Sequence, residues 1–359
     1  MLFEKTEVPA ERFALSGEPA ELRPEGQGII NRTFYLRCTG GEYLIQRINT
    51  DVFPDADGLM RNIRLVTGHI REKLRQEGGD LRGCLEVIPT TDGADLAHTE
   101  GGCWRCYRYI GGTYSLQSAA SCEEFRQAAL AFGQFQNQLA DVPASTLCEV
   151  IPDFHHTPKR LKALWAAAEA DVCGRAASVE RELEFVRRRE AFAAVLTDAA
   201  ASGDLPLRVT HNDTKLNNLL FDNATRKPLA VVDLDTVMPG TSLADFGDAI
   251  RFGASTAAED ETDLEKVACD LGLFGAFTDG WLTACGQTMT KTERELLPQS
   301  PRVLTLECGA RFLTDYLNGD TYFKTSRPGQ NLDRCRASFR LVKDMEEKER
   351  EMREITEKR

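Results

Sequence analysis

The spacing of apolar residues changes once along the chain, at the pair Gly111 and Gly112. Before this pair, residues 26–110 alternate short apolar runs of strand length with glycine-bearing turns, apart from one helical stretch between about Gly58 and Gly78. After it, apolar residues recur at helical spacing. The sequence therefore predicts an α+β fold, in which a small antiparallel-sheet part precedes a larger, mostly helical part.

The length of 359 residues and an apolar content of 42% favour two packed lobes over one compact domain. We place the boundary near Ile110, where the strand-like pattern ends. Residues 1–110 are then expected to form the N-lobe, and residues 111–359 the C-lobe.

Composition excludes several classes of partner. A formal net charge of −12 gives no basic field, so neither nucleic acid nor an anionic membrane surface is expected to bind. Residues 1–7 lack a basic stretch followed by an apolar run, and no segment offers about 18 consecutive apolar residues. The eleven cysteines are scattered and odd in number, which favours reduced thiols. We expect a cytoplasmic protein, and no protein partner is implied.

The segment 208–218, RVTHNDTKLNN, contains the pattern His-x-Asp-x-x-x-x-Asn in His211, Asp213 and Asn218. Phosphoryl transfer from ATP needs a carboxylate that orients the attacking hydroxyl, together with oxygen ligands that hold Mg²⁺ against the phosphates. The spacing matches the catalytic loop of kinases. Our hypothesis is that Asp213 is the catalytic base and that Asn218 is a magnesium ligand.

A predicted β-hairpin supplies the second carboxylate. The strand candidates 218–221 and 229–233 are joined by the turn-rich segment 222–228. Because antiparallel strands of similar length return to the same end, Asp233 is expected beside Asn218, as the second magnesium ligand. Asp235 is open to two interpretations, a further ligand or a turn former.

Three other residues near these motifs have expected roles. Lys215 lies midway in the loop and is expected to reach the transferring phosphate, which makes it a second catalytic residue. His211 is expected to pack and to hydrogen-bond the loop rather than to titrate. Asp245 is expected to be the N-cap of a following helix.

The loop, the strand that ends in Asp233 and the later acidic helix start resemble the aminoglycoside phosphotransferase and choline kinase superfamily. The stretches 208–219, 232–240, 245–256 and 307–316 closely resemble the bacterial N-acetylhexosamine 1-kinases, and the resemblance extends to residues 49–62. It covers almost the whole chain. It implies a bilobal protein-kinase-like fold and transfer of phosphate from ATP to the anomeric hydroxyl of N-acetylglucosamine or N-acetylgalactosamine, two epimers between which the sequence does not decide.

The same resemblance implies the substrate-binding residues. Asp213 and Asp233 are expected to contact the substrate, as are Arg311 in residues 307–316 and Tyr322 in residues 319–323. The donor fork of arginine suits phosphate or sugar oxygens. The alternative for Arg311 is an ion pair on a helix face.

The nucleotide side departs from the usual kinase pattern. Gln46 stands where related kinases place a cation, and Arg61 and Arg64 lie where a partner glutamate is usual, so the lysine–glutamate pair is predicted to be absent. Arg47 is expected to substitute. The loop of residues 26–33 is either a phosphate cover or a plain turn. The expected nucleotide-binding residues are Gly28, Asn31, Thr33, Arg47, Arg108, Tyr109 and Ile110.

Two rival functions remain open at this point. One is another small-molecule kinase, acting on choline, homoserine or an aminoglycoside. Cations of that kind are usually held by acidic or aromatic surroundings, whereas the predicted C-lobe is rich in arginine, which favours a small neutral sugar; these residues are Arg251, Arg311, Arg334 and Arg336. The other is a nucleotide-binding pseudokinase, against which stands the presence of the base and both metal ligands.

Overall fold

The computed structural model describes residues 8–26 and 30–359. The chain divides into two compact units, each assembled from several segments. The first unit comprises Met1–Ser115, Asp141–Pro152 and Asn218–Pro239, and the second comprises Leu116–Ala140, Asp153–Asn217 and Gly240–Arg359. This division differs from the single boundary that we expected at Ile110, because later segments, including the predicted hairpin, belong to the first unit.

The described residues form both strands and helices. The strands are β1 (Pro19–Pro24), β2 (Arg32–Cys38), β3 (Gly41–Arg47), β4 (Val87–Ile88), β5 (Ala97–Thr99), β6 (Gly102–Arg108), β7 (Thr113–Ser115), β8 (Arg208–Thr210), β9 (Leu219–Asp222), β10 (Pro228–Val231) and β11 (Met238–Gly240). The α-helices are α1 (Ala56–Glu77), α2 (Cys122–Gln138), α3 (Thr157–Ala170), α4 (Glu180–Arg187), α5 (Glu190–Ala193), α6 (Val195–Ala201), α7 (Ser242–Gly253), α8 (Leu271–Cys285), α9 (Lys291–Leu296), α10 (Ser300–Leu317), α11 (Gln330–Glu347) and α12 (Glu349–Glu357).

The main sheet of the first unit is antiparallel, with strand order β1-β2-β3-β6-β4 and with β5 paired to β6. Phe34, Ile45 and Cys106 are partners across β2, β3 and β6, and all three are buried in one core. Since side chains alternate between the faces of a strand, Gln46 and its partner Arg105 lie on the opposite face. The sheet therefore buries one face in this core, and the opposite face carries Gln46 and Arg105.

Helix α1 of the first unit begins and ends as the sequence predicts. Its N-cap is Asp55, whose carboxylate accepts the N–H of Gly58 at 2.7 Å. Its C-cap is Gly78, which has a left-handed φ of 67° that glycine adopts without strain. The buried face carries Leu59 and Ile63 at helical spacing.

The predicted hairpin is present and gains a third strand, in the order β10-β9-β7. Val231 pairs with Leu219, and the N–H of Val232 donates to the carbonyl of Asn218 at 2.9 Å. The sequence missed β7 because three residues after a glycine pair show no readable alternation. This pairing holds the start and the end of the hairpin close together.

The second unit is mostly helical. Helix α10 packs against α3, α7 and α11, and α2 packs against α8. One apolar core joins α3, α10 and α11 through residues such as Leu164, Leu313 and Val342. None of the helices in the described ranges is long and apolar enough to cross a membrane. The expected α+β class, with a sheet-rich first part and a helical remainder, is confirmed.

The close contact between α2 and α8 gives a stability prediction. A Cβ at Gly280 would lie 2.4 Å from the carbonyl oxygen of Arg126 and 2.8 Å from the Cβ of Ala129. Gly280→Ala should therefore lower the free energy of unfolding by about 1–3 kcal/mol, because the helices must separate. Urea unfolding followed by circular dichroism measures this change.

Gly275 in the same helix is the matched control. A Cβ there would meet only the Cγ2 of Ile355, at 3.5 Å, which is an ordinary contact. Gly275→Ala should raise the free energy of unfolding by about 0.5–1 kcal/mol through helix propensity alone. Equal effects of the two substitutions would contradict the account of this interface.

Candidate active site

The predicted site residues are distributed over both units, and each group is described within its own unit. The first unit holds the predicted magnesium ligands and the predicted nucleotide-binding residues, except that Gly28 lies outside the described residues. The second unit holds the residues expected for catalysis and sugar binding, namely Asp213, Lys215, Arg311 and Tyr322.

In the second unit, the loop that carries Asp213 is held by a carboxylate of α7. Asp245 is buried and accepts the N–H of His211 at 3.0 Å and the N–H of Asn212 at 2.6 Å. The side chain of Gln136 also donates to it. Asn212 has a φ of 63°, in the left-handed region that asparagine tolerates better than most residues. The main chain of the loop is thus held immediately before Asp213.

The expectation that Asp245 is an N-cap was wrong. Helix α7 begins at Ser242, and Thr241 occupies the N-cap position without a side-chain bond. Asp245 lies one turn inside the helix, and its side chain caps the loop instead of its own helix. Burial raises the pKa of Asp245, although the hydrogen bonds from the main chain of the loop and from Gln136 oppose that rise.

The interpretation of His211 as a packing residue is confirmed. Its ring is fully buried and contacts Phe132 and Phe135 edge-on, with centroid distances of 6.1 and 5.9 Å. Its Nδ1 accepts the N–H of Asp213 at 3.3 Å. His211 therefore contributes to the placement of Asp213 through the main chain.

Asp213 itself is half-buried, and the Nζ of Lys215 lies 2.8 Å from its Oδ1. Burial disfavours a charged lysine, but the charges of Asp213 and Asp248 outweigh it and raise the pKa of Lys215. Lys215 is therefore a cation at neutral pH. The arrangement puts a carboxylate and an ammonium group side by side at the end of the loop.

A largely buried histidine that the sequence did not reveal supports the same loop. His155 lies with its Nδ1 2.9 Å from a carboxylate oxygen of Glu307 and its Nε2 3.1 Å from the carbonyl oxygen of Asn212. Both neighbours are hydrogen-bond acceptors, so the geometry suits an imidazolium that donates from both nitrogens. Thr157 donates to the other oxygen of Glu307 at 2.8 Å.

The electrostatics agree with this assignment. Burial disfavours the charged ring of His155, but the charge and hydrogen bond of Glu307 outweigh it and raise the pKa of His155. Burial likewise opposes ionisation of Glu307, yet His155 holds the pKa of that carboxyl below its ordinary value. The charge of Asp248 also favours the imidazolium. His155 and Glu307 therefore form a largely buried ion pair that contacts the catalytic loop at Asn212.

Arg311, on α10, lies between two aromatic rings. Its guanidinium carbon is 5.6 Å from the ring centre of Phe154 and 5.5 Å from that of Phe323. In the part of the chain that the structure describes, Arg311 forms no ion pair. The alternative of a helix-face ion pair therefore finds no support.

Tyr322 follows in a loop that Asp315 organises. Asp315 is buried and accepts the N–H groups of Thr321, Tyr322 and Phe323 at 2.8–2.9 Å. The side chain of Tyr322 is 64% exposed, and its ring contacts Phe323 at a centroid distance of 4.8 Å. The structure thus brings Tyr322 and Arg311 together through Phe323, which both contact.

A cavity of about 390 Å³ also lies in the second unit, within the size range of small-molecule sites. Arg251 and Glu259 form an ion pair of 3.1 Å on its wall. Arg251 also pairs with Asp248 at 2.8 Å, the carboxylate whose charge acts on Lys215. This chain of charges connects the cavity wall to the candidate catalytic loop within the unit.

In the first unit, the hairpin brings the two predicted magnesium ligands together. The hydrogen bond from Val232 to the carbonyl of Asn218 places Asn218 and Asp233 at the same end of β9 and β10. Asp233 is exposed and has a left-handed φ of 59°. An amide oxygen and a carboxylate are hard donors, and Mg²⁺ commonly takes only one or two protein ligands beside phosphate oxygens. The donor set therefore fits magnesium.

The two arginine positions next to the predicted nucleotide site differ in orientation. Arg47 pairs with Trp104 in the sheet and shares its face with the apolar core. Arg105, which sequence reasoning missed, lies with Gln46 on the face of the sheet opposite the apolar core. Its guanidinium is 2.6 Å from a carboxylate oxygen of Asp235. Asp235 is buried and ion-paired, whether or not it also serves as a ligand.

Residues 108–110, which are among the expected nucleotide-binding residues, already use some of their main-chain groups in hydrogen bonds within the protein. The N–H of Arg108 donates to the carbonyl of Glu86, and the N–H of Tyr109 donates to that of Glu42, both at 2.9 Å. The carbonyl of Ile110 accepts the hydroxyl of Thr113 at 2.8 Å. The N–H of Ile110 is thus the main-chain donor of this segment that remains for a ligand among the described residues.

The buried pair of His155 and Glu307 predicts a pH dependence of stability. Because the folded pKa of His155 is raised, its contribution is complete below about pH 6.5, the unfolded value, and is lost as pH rises through the folded pKa. His155→Leu should lower the free energy of unfolding by about 3–5 kcal/mol near pH 6, since it leaves Glu307 buried and unpaired. Urea unfolding from pH 5.5 to 9 measures the difference between wild type and variant.

The difference should shrink as pH rises above 6.5, and a difference that grows over this range would contradict the assignment. His156→Leu is the control, because the adjacent ring accepts only the N–H of Lys159 at the start of α3. That substitution should cost about 1 kcal/mol, the usual effect of losing a cap.

Comparisons with known proteins also indicate a phosphotransferase. The sequence matches the family described as "Phosphotransferase enzyme family" (APH) over residues 21–276. Similar folds occur in an aminoglycoside phosphotransferase from Alicyclobacillus acidocaldarius (TM-score 0.60, 12% identity, 100% of this chain and 98% of that chain) and in a choline kinase from Cryptosporidium parvum (0.57, 14%, 92% and 90%). An ethanolamine kinase from Plasmodium vivax is also similar (0.55, 12%, 89% and 82%). With identities of only 12–14%, these structural similarities show the fold alone, which is kinase-like. Because the family match covers well over half of its length, the chain belongs to the phosphotransferase enzyme family.

Proposed function

We propose that this protein is a magnesium-dependent kinase that transfers the γ-phosphate of ATP to the C1 hydroxyl of N-acetylglucosamine or N-acetylgalactosamine. Membership of the phosphotransferase family supports the reaction type. The observation that carries the choice of acceptor is the surroundings of Arg311, which offer cations and aromatic rings rather than free carboxylates. A cytoplasmic location is part of the proposal, because the reaction consumes ATP.

The proposed acceptor is neutral because positive charge is concentrated around Arg311. Burial lowers the pKa of Arg160, and the charge of Arg311 lowers it further, so the two guanidinium groups act on each other. The acidic side chains one turn before and one turn after Arg311 on α10 are already engaged: Glu307 by His155 and Thr157, and Asp315 by the loop of Tyr322. A cationic acceptor would meet repulsion here, whereas sugar hydroxyls can accept from arginine and an aromatic ring can cover an apolar sugar face.

In the proposed reaction Asp213 accepts the proton of the C1 hydroxyl while the oxygen of that hydroxyl forms a bond to the γ-phosphorus. The bond from the γ-phosphorus to the bridging oxygen breaks, and ADP leaves with that electron pair. Lys215 balances negative charge on the phosphoryl group as it moves. Arg311 and Tyr322, with Asp213 and Asp233, orient the sugar.

Asn218 and Asp233 would hold Mg²⁺, which supplies positive charge at the phosphates when it is bound. We propose that residues 1–110 bind most of the nucleotide and that residues 111–359 supply the catalytic loop and the sugar site. The proposed nucleotide contacts are Gly28, Asn31, Thr33, Arg47, Arg108, Tyr109 and Ile110, of which Ile110 would donate its N–H to adenine.

A substrate panel tests the proposal. ADP release with Mg-ATP should be fastest with N-acetylglucosamine or N-acetylgalactosamine and weaker with glucose and galactose, which lack the acetamido group. Choline, ethanolamine, homoserine and kanamycin are the amine acceptors in the same panel. Turnover restricted to the amines would overturn the acceptor and leave the phosphotransferase reaction, and no turnover with any acceptor would indicate a pseudokinase.

The role of Asp213 gives a mutational prediction. Asp213→Asn should lower kcat by about 10²–10⁴-fold, the usual contribution of a general base, with little change in the Kd of ATP. Asp204→Asn, which alters an exposed carboxylate of the same unit, is the control and should leave kcat unchanged. Steady-state kinetics and nucleotide titration measure both effects, and a kcat of Asp213→Asn near that of wild type would exclude this base.

The role of Arg311 gives a second mutational prediction. Arg311→Met should raise the KM of the sugar about 10- to 100-fold through loss of a charged hydrogen bond, with the KM of ATP unchanged. Arg336→Met is the control, because that guanidinium is paired with Glu182 at 2.6 Å. A rise in the KM of ATP instead of the sugar would assign Arg311 to the nucleotide.

A further inference from the structure

The face of the main sheet opposite the apolar core carries a buried cation. Arg105 on β6 has 2% of its side chain exposed, and its partner Asp235 has 6%. The Nη1 of Arg105 is 2.6 Å from Oδ1 of Asp235, and its Nε donates to the side-chain oxygen of Gln46 at 2.9 Å. Arg105 thus joins two strands of the sheet to the turn that follows the hairpin, within the first unit.

Asp235 and Gln46 extend the network to two of the proposed nucleotide contacts. The side-chain amide of Asn31 donates to the other oxygen of Asp235 at 2.5 Å, and its oxygen accepts the N–H of Asn49 at 3.0 Å. The amide of Gln46 donates to the hydroxyl of Thr33 at 2.9 Å. Arg105 therefore lies at the centre of a network that includes both Asn31 and Thr33.

Stability alone is a poor explanation for this pair. An ion pair removed from water is often no more stabilising than apolar side chains of the same volume, because both charges lose their hydration. The pair instead fixes geometry: Asp235 lies in the short 3-10 turn Leu234–Thr236, which starts directly after Asp233. Holding Asp235 by a rigid, planar guanidinium restricts the turn in which Asp233 keeps its left-handed backbone.

Arg105 stands in a different place from the cation of the usual lysine–glutamate pair, which the sequence predicts to be absent. Gln46 is neutral, and the arginines of α1 that replace the glutamate make other contacts: Arg61 with Asp55 at 3.8 Å and Arg64 with Asp95 at 3.5 Å. In this chain a cation stands one strand away from Gln46, and its carboxylate partner lies next to the metal ligand instead of on the helix.

We propose that Arg105 is a positioning residue for metal and nucleotide binding. It acts through Asp235 on Asp233 and on Asn31, and through Gln46 on Thr33. The inference rests on the proposed function, because it needs Asp233 to be a magnesium ligand. With so little of its side chain exposed, Arg105 acts through these neighbours and not by direct contact with the substrate.

The test measures metal–nucleotide binding without turnover. Free Mn²⁺ is followed by electron paramagnetic resonance in the presence of AMP-PNP and full-length protein, so that no sugar is needed. Arg105→Met keeps the length and removes the charge, and Arg105→Lys keeps the charge and removes the fork. Arg71→Met is the matched control, because Arg71 pairs with Glu86 at 3.2 Å and is 13% exposed, on α1 of the same unit.

We expect Arg105→Met to weaken binding of Mn²⁺ with AMP-PNP at least tenfold, Arg105→Lys to recover part of that loss, and Arg71→Met to stay within twofold of wild type. Binding by Arg105→Met within twofold of wild type, or an equal loss in Arg71→Met, would overturn the inference. If thermal unfolding shows that Arg105→Met does not fold, Asp235→Asn decides by the same thresholds. Wild-type protein that binds no Mn²⁺ with AMP-PNP would overturn the proposed function as well, which separates the two failures.

Discussion

The buried carboxylate of Asp245 is the interaction on which the arrangement of the second unit depends. Its two oxygens accept main-chain N–H groups of His211 and Asn212, and its own carbonyl accepts the hydroxyl of Thr214. Gly240 permits the close approach, since a Cβ there would lie 2.3 Å from the hydroxyl oxygen of Thr210. A loop held through its backbone can present Asp213 in one place, and the packing of α7 against α10 gives Asp245 a rigid support.

The first unit orients its carboxylates in a different way. There the hairpin register places Asp233 beside Asn218, and a buried guanidinium holds the following turn through Asp235. Both arrangements hold a carboxylate in place through contacts within the protein. Preorganisation of this kind is what phosphoryl transfer requires, because the reaction is catalysed mainly by positioning and charge stabilisation.

The features that could be predicted from the sequence are those with a local signal. Helix α1 has a capping aspartate, an apolar stripe and a terminal glycine, and the hairpin has two apolar runs around a polar turn. Strand β1 was missed because it begins and ends at a proline and has few apolar residues, and Asp245 was misassigned because α7 starts one turn earlier without a side-chain cap. Arg105 and His155 could not be found because their partners, Asp235 and Glu307, are more than 100 residues away along the chain. Buried pairs of that kind leave no periodic pattern in a sequence.

The proposed reaction transfers phosphate to the anomeric oxygen of an acetamido sugar. It is tested by ³¹P NMR of the product formed from Mg-ATP and N-acetylglucosamine or N-acetylgalactosamine labelled with ¹³C at C1. We expect a new phosphomonoester signal that is split by coupling to ¹³C. An unsplit phosphomonoester signal would place the phosphate on another hydroxyl, and the absence of any sugar phosphate would contradict the proposed acceptor.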